Sequence, residues 1–253
     1  MKRIALAAAA VVGLAQGAVA ADLGVRPAPA YVPPAVVAPT WTGLYLGFNG
    51  GWEWSQNNNV TFTDQPAAGI VPFPALSLSQ ESSGAVFGGQ LGYNYQAGNW
   101  VFGIEGDVDG VGSQRSFKSV VEPTTGATLS ASATPQWLAS LRGRLGYTWG
   151  PGLIYITGGG AWEGAEFNTS DAGGSSSFTN TRSGWTVGAG YEWMIAPNWM
   201  VRAEYLYYGF SGNVNNSAAI GPVFGGGFIT HNWDKMNVNV VRLGLNYKFD
   251  WWR

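Results

Sequence analysis

The chain reads as an all-β protein, an eight-stranded antiparallel up-and-down transmembrane β-barrel, and three observations predict it. Apolar residues recur at every second position through eight segments between Trp41 and Phe249, the period of a strand with two different faces. The connections between those segments alternate between short and long, as in barrels with tight turns on one side of a membrane and loops on the other. Aromatic side chains gather at both ends of the segments, where amphipathic rings prefer the headgroup level.

The chain before the first strand falls into two parts. Lys2 and Arg3, the apolar run Ile4 to Leu14 and the small residues of Ala18-Val19-Ala20 form a secretory signal peptide over residues 1–20. The apolar run is shorter than the ~20 residues a spanning helix needs. Cleavage after Ala20 or one residue later, before Asp22, reads equally well. Residues 21–40 carry Pro27, Pro29, Pro33, Pro34 and Pro39. Proline has no N–H for a β-ladder, so this stretch is a Pro-rich periplasmic linker.

From Trp41 the strands follow in order. The first has Leu44, Leu46, Phe48, Trp52 and Trp54 opposite Tyr45, Asn49 and Glu53. The second, 84–95, sets Ala85, Phe87, Leu91, Tyr93 and Tyr95 opposite Gln90 and Asn94. A turn at Gln96-Ala97-Gly98-Asn99 leads to Trp100, Phe102, Ile104 and Val108, opposite Glu105, Asp107 and Asp109. The fourth alternates Trp137, Ala139, Leu141, Leu145, Tyr147 and Trp149 with Gln136, Ser140, Arg142 and Arg144. Gly150-Pro151-Gly152 turns into 153–164, whose parity stays unassigned. Trp185, Val187, Ala189, Tyr191 and Trp193 then face away from Thr186 and Glu192. Ala196-Pro197-Asn198 turns into Trp199, Val201, Ala203, Tyr205 and Tyr207, against Arg202 and Glu204. The last strand, 237–249, opposes Val241, Leu243, Leu245, Tyr247 and Phe249 to Arg242, Asn246 and Lys248. The long connections, about 55–83, 112–134, 165–183 and 210–235, are polar and rich in Gly, Ser and Asn. The barrel thus spans 41–249, with 250–253 as a C-terminal tail.

Composition agrees. Charged residues are 11% of the chain, against about 25% in ordinary domains, while Gly (38) and Trp (13) are high. Removing Lys2 and Arg3 moves the formal charge from −2 to −4, with no basic stripe for nucleic acid. There is no cysteine, which excludes thiolate catalysis and Cys-ligated metal.

A soluble barrel with an apolar inside would also alternate, so two features decide. At the short-turn ends stand Trp41, Tyr95, Trp100, Trp149, Trp193, Trp199 and Phe249; at the long-loop ends stand Trp52, Trp54, Trp137, Trp185 and Tyr207. These form two girdles about one bilayer thickness apart. The polar parity carries six acids (Glu53, Glu105, Asp107, Asp109, Glu192, Glu204) and five bases (Arg142, Arg144, Arg202, Arg242, Lys248). Eight strands leave an interior just wide enough for side chains, so near-neutral balance predicts an interior filled with ion pairs. The acids of 100–109 should meet Arg142 and Arg144, and closure should bring the last strand beside Glu53.

Ala21-Asp22-Leu23, the Pro-rich spacer, the opening Trp41-Thr42-Gly43-Leu44-Tyr45 and the close Val241-Arg242-Leu243-Gly244-Leu245-Asn246-Tyr247-Lys248-Phe249 carry a resemblance. They resemble the small alphaproteobacterial outer-membrane β-barrel proteins, immunogenic surface proteins often labelled porin-like or opacity-like. The resemblance covers about 41–249 and implies an OmpA-like barrel in the outer membrane. Leu245, Tyr247 and Phe249 resemble the terminal signal read by the barrel-assembly machinery. Asp250-Trp251-Trp252-Arg253 follow, so either the signal tolerates an internal position or Trp251 or Trp252 takes the role.

Few residues suggest chemistry. His231 is the single histidine and reads as a solvated loop residue. The haem or metal contact that the resemblance raises would need more N or S ligands than His231 with Asp234 supplies. Ser211, His231 and Asp234 could be assembled into a hydrolytic set only on paper. Asp107-Val108-Asp109-Gly110 lacks the remaining ligands of a calcium loop. Gly158-Gly159-Gly160 reads as close backbone approach within a strand, and Gly225-Gly226-Gly227 as flexible loop. The sequence therefore predicts a non-enzymatic surface protein without cofactor or metal, a barrel anchoring four loops. The alternatives are a small diffusion porin, alone or as a homo-oligomer, and more remotely a lipid-modifying enzyme. The expected partners are outer-membrane lipid, lipopolysaccharide and the barrel-assembly machinery, and no nucleic acid.

Overall fold

The computed structural model describes residues 40–56, 58–66, 74–113, 118–121, 126, 128–171, 174–210, 214–219, 227–233 and 235–249. The stretches expected to be a signal peptide (1–20) and, but for Thr40, a linker (21–40) lie outside them, with the tail 250–253, Ser211, Asp234 and Gly225-Gly226.

Thirteen strands occur among the described residues: β1 (Gly43–Gln56), β2 (Asn58–Pro66), β3 (Leu76–Gln80), β4 (Ser83–Ala97), β5 (Trp100–Ser113), β6 (Lys118–Val121), β7 (Thr128–Trp149), β8 (Gly152–Asp171), β9 (Gly174–Ala196), β10 (Trp199–Phe210), β11 (Val214–Ala219), β12 (Gly227–Trp233) and β13 (Met236–Phe249). Eight of them, in the order β1-β4-β5-β7-β8-β9-β10-β13, pair antiparallel and close on β1. From Glu53 the pairing runs through Val240, Leu206, Gly188, Thr157, Arg144, Gly103 and Asn94, and returns to β1 at Gly43, a stagger of ten residues. With standard strand spacings that stagger tilts the strands by about 41° and sets a radius of about 8 Å.

The lipid-facing parity is the expected one: Phe48, Phe87, Val108, Leu141, Val187 and Leu243 are all exposed. The 153–164 segment also has a parity. Ile154, Ile156 and Trp162 point outward, while Leu153, Tyr155, Thr157, Ala161 and Glu163 point inward. The exposed tryptophans bound the belt, from Trp149 to Trp137 on β7 and from Trp193 to Trp185 on β9. Those spacings correspond to about 20–30 Å along the axis, bracketing the ~25 Å apolar band of outer-membrane barrels.

The long connections are not plain loops. β7, β8 and β9 are 22, 20 and 23 residues long, about twice the 9–11 residues a spanning strand needs. Their outer halves stand beyond the girdle, and β6 pairs there with β7. A second, four-stranded sheet has the order β11-β12-β2-β3. Val60, Phe62 and Trp233 of this sheet pack with Leu129, Ala131, Ala165 and Phe167 of β7 and β8. Phe167 meets Trp233 edge-on at 4.9 Å and stacks on Phe178 at 5.3 Å. These strands form a sandwich-like cap with its own apolar core. Where β7 crosses the outer girdle, the pairing with β8 jumps between Pro135 and Trp137, leaving Gln136 as a β-bulge.

Candidate functional site

The barrel lumen is filled in layers. At the turn end Trp41, Tyr45, Val101, Leu153, Tyr155, Met194 and Met200 form an apolar floor. Towards the cap Val86, Leu138, Ala161, Leu206, Tyr208, Phe210, Met236, Val238 and Val240 form an apolar ceiling. Between them the polar parity of the ring strands converges.

Four arginines meet five carboxylates there. Arg142 reaches Glu105 at 2.6 Å, Asp107 at 2.9 Å and Glu204 at 3.1 Å. Arg242 reaches Asp109 at 2.5 Å, Glu204 at 2.8 Å and Asp107 at 3.1 Å. Arg202 lies 2.7 Å from Glu105 and 3.6 Å from Glu192. Arg144 lies 3.0 Å from Glu192, donates to the Tyr45 hydroxyl at 2.9 Å, and sits 3.9 Å from the centre of the Tyr155 ring. Neutral groups complete the shell. Tyr45 and Tyr155 donate to Glu105 and Glu204 at 2.6 and 2.9 Å. Ser140 donates to Asp107 at 2.5 Å. Asn49 bridges Gln90 and Asp109 at 2.8 and 2.9 Å, and Gln90 donates to Asn246 at 2.6 Å. All eight ring strands contribute a side chain to this assembly.

The close packing depends on inward-facing glycines. A Cβ at Gly51 would collide with the Val241 carbonyl and the Arg242 backbone, so the β1 strand has no room for a side chain beside the Arg242 stem. An ion pair buried this way is stabilising only when its remaining donors and acceptors are satisfied; the hydroxyls and amides meet part of that need, while Nε of Arg142, Arg144 and Arg202 donates to no described residue.

Several expectations need correction. Glu53 is fully buried on the lumen side, but among the described residues it forms no ion pair and neither of its oxygens accepts a hydrogen bond. Lys248 lies lower, by the floor, where its ammonium donates to the Thr40 carbonyl. Asp107 meets Arg142 as expected, whereas Asp109 pairs with Arg242 from the other side of the lumen. Trp41 does not join the girdle. It is buried in the floor, with its indole N–H donating to Thr148 Oγ1 at 2.9 Å. Its odd position shares the lumen parity of Tyr45 and Asn49, and Gly43 (φ 144°) lets the chain enter from that side. Trp54 and Tyr207 are half-covered, while Trp52, Tyr95, Trp100, Trp137, Trp149, Trp185, Trp193 and Trp199 are exposed. His231 is not solvated. It is fully buried in β12, edge-on to Phe62 with ring centres 5.2 Å apart.

The expected network lacks its neutral shell of Tyr45, Asn49, Gln90, Ser140, Tyr155 and Asn246, and three further residues lie outside the expected set. Trp162 belongs to the outer girdle. Glu163 and Arg182, on the lumen side of β8 and β9, face each other across the pairing, Arg182 Nε lying 3.5 Å from Glu163 Oε2. Placing Trp162 beside Trp185 and Trp137 would have set the parity of its strand, and with it Glu163.

Comparison with known proteins places the chain among relatives. Residues 5–249 match the family model for the outer membrane protein beta-barrel domain. The 31 kDa outer-membrane immunogenic protein of Brucella melitensis is 33% identical, over 98% of this chain and 100% of that protein. The 25 kDa outer-membrane immunogenic protein of Brucella abortus is 29% identical, over 98% and 99%. The crystal structure of OprG from Pseudomonas aeruginosa covers 82% of this chain and 97% of its own, at 13% identity and a TM-score of 0.45. With its ring of eight strands, its lipid-facing belt and a family match across nearly its whole length, the chain belongs to the outer membrane protein beta-barrel domain family and is an outer-membrane protein.

Proposed function

We propose that this protein is a non-enzymatic anchor, a sealed barrel that holds a folded β cap at the cell surface. One observation carries the reading: the lumen is packed across its full width by the ion-pair layer, with apolar floor and ceiling on either side. Conduction needs a water-filled path, and side chains that bond one another across the lumen leave no room for one. The cap then carries the surface role. The outward face of its four-stranded sheet is neutral and hydroxyl-rich: Thr61 bonds Ser77 at 3.1 Å, Ser79 donates to Asn59 at 2.9 Å, and Ser217 bonds Thr230 at 3.2 Å. The word immunogenic in the relatives' names fits a surface presented in this way.

In this reading the girdles sit in lipid and lipopolysaccharide, and Leu245, Tyr247 and Phe249 on β13 are the residues offered to the assembly machinery. Single-channel recording in planar bilayers tests the seal. The purified monomer should give no stable unitary openings, and regular openings would favour the diffusion porin instead. Lipid turnover that disappears on His231→Ala would overturn the non-enzymatic reading.

A further inference from the structure

Above the ion-pair layer, the lumen contains one charge too many. Glu53 on β1 and Glu163 on β8 stand four strands apart in the ring of eight, hence on opposite walls, and both are fully buried. None of their four carboxylate oxygens accepts a hydrogen bond from a described residue. Among the described residues, Arg182 is the cation at this level. Its Nε lies 3.5 Å from Glu163, its Nη2 contacts the Met236 sulfur at 3.3 Å, and its guanidinium lies 5.1 Å from the centre of the Phe167 ring. Glu53 has the Glu163 carboxylate, a like charge, acting on it. Its own wall is apolar, with Val240 paired to it and Val86 one step further along β4.

The contrast with the layer below is sharp, for there each carboxylate lies within 3.1 Å of an arginine. A buried carboxylate without a partner is costly unless it is paired, coordinated or protonated. Two carboxylates against one guanidinium leave a single negative charge. A guest that neutralises it must be small, cationic and content with oxygen ligands. A divalent ion would leave an excess positive charge, and among the described residues no group of three or more His, Cys, Asp or Glu forms a metal cage. We propose that Glu53 and Glu163 hold one alkali-metal cation between the apolar ceiling of the barrel and the core of the cap.

The test uses the full mature protein in detergent, with rubidium and sodium as probes. Crystals soaked in rubidium chloride should show an anomalous peak between the two carboxylates that is lost in Glu53→Gln. Thermal unfolding should be about 3–6 °C higher in sodium chloride than in choline chloride of equal ionic strength, and Glu53→Gln should erase that difference. Equal melting of the wild type in both salts would overturn the site and leave Glu53 a buried acid carrying its own proton. A peak that persists in Glu53→Gln would mark an adventitious ion only and overturn it as well. Should Glu53→Gln fail to fold, the wild-type rubidium map together with Glu163→Gln decides: no peak, or a peak unaffected by that change, ends the proposal.

Discussion

The membrane half of the barrel and the cap above it share β7, β8 and β9, and along these strands the character of the two faces is exchanged. On β8 the inward side chains change from Tyr155 and Thr157 to Ala165 and Phe167, while the outward ones change from Ile154, Ile156 and Trp162 to Glu166 and Asn168. On β9 the outward face passes from Tyr191, Val187 and Trp185 to Ser183, Thr181 and Thr179. The inward face of β7 passes from Arg144 and Arg142 to Ala131 and Leu129. The inversion falls at Trp137, Trp162 and Trp185. Below it the outside is lipid, which takes apolar side chains and leaves the polar ones to one another. Above it the outside is water, and the ordinary hydrophobic effect refills the inside. The hydrogen-bond ladder crosses this boundary without a break apart from the bulge at Gln136.

Five substitutions test the contrast. Arg242→Met should have the largest effect, because it leaves Asp109 without an arginine and takes one of two close arginines from Asp107 and Glu204, which keep Arg142; breaking a buried pair costs about 3–5 kcal/mol. The melting temperature in detergent should fall by roughly 10 °C, and an unchanged value would mean that the inward pairing contributes nothing. Phe167→Ala should cost about 3 kcal/mol but in the cap alone. Protease should then cut between β2 and β3 on intact cells while the barrel stays folded, and loss of both halves together would show one cooperative unit. Arginine in place of Leu141, in mid-belt, should cost about 2–4 kcal/mol, whereas at the exposed Thr179 in the cap it should cost under about 0.5 kcal/mol. Equal costs would erase the lipid–water boundary placed at the tryptophans. Trp41→Phe removes one hydrogen bond to Thr148 and should lower stability by about 1 kcal/mol, read as a small shift in urea midpoint.

The barrel was legible because its signal repeats. Seven strands show one parity each, and the aromatic ends mark their length. The strand 153–164 hid its parity because Leu153, Ile154, Tyr155 and Ile156 are apolar on both faces, and Gly158-Gly159-Gly160 is silent on either. The cap was not legible for a different reason. Its core-facing residues, such as Val60 and Phe62 or Leu129 and Ala131, come in pairs between Ser, Thr and Asn, too short a run to separate from polar loop. His231 illustrates this, since its solvated reading assumed a loop where a strand of the cap stands. Trp41 departs from the other tryptophans because its odd position carries the lumen parity of its strand, which its kinship in residue type conceals. The nine residues Glu105, Asp107, Asp109, Arg142, Arg144, Glu192, Arg202, Glu204 and Arg242 were chosen from parity and sign, and the structure brings them together. The neighbouring-strand contacts of Arg142 with Glu105 and Asp107 follow from strand order, whereas the cross-lumen pairs Asp109–Arg242 and Glu105–Arg202 are beyond reach, because the stagger of ten residues couples strands far apart in sequence.

The bulge at Gln136 bears on how such a protein can change length. A strand that passes from lipid to water keeps each side chain on its proper side only if residues are gained or lost two at a time. One extra residue in β8 between Trp162 and Phe167 would turn the cap core outward and its serines inward. Length drift in these hairpins is therefore quantised in pairs, and odd steps are tolerated where a looped-out residue can absorb them. β7 has such a slack point at the girdle, so sequences of different loop length should differ there by single residues and elsewhere by even numbers.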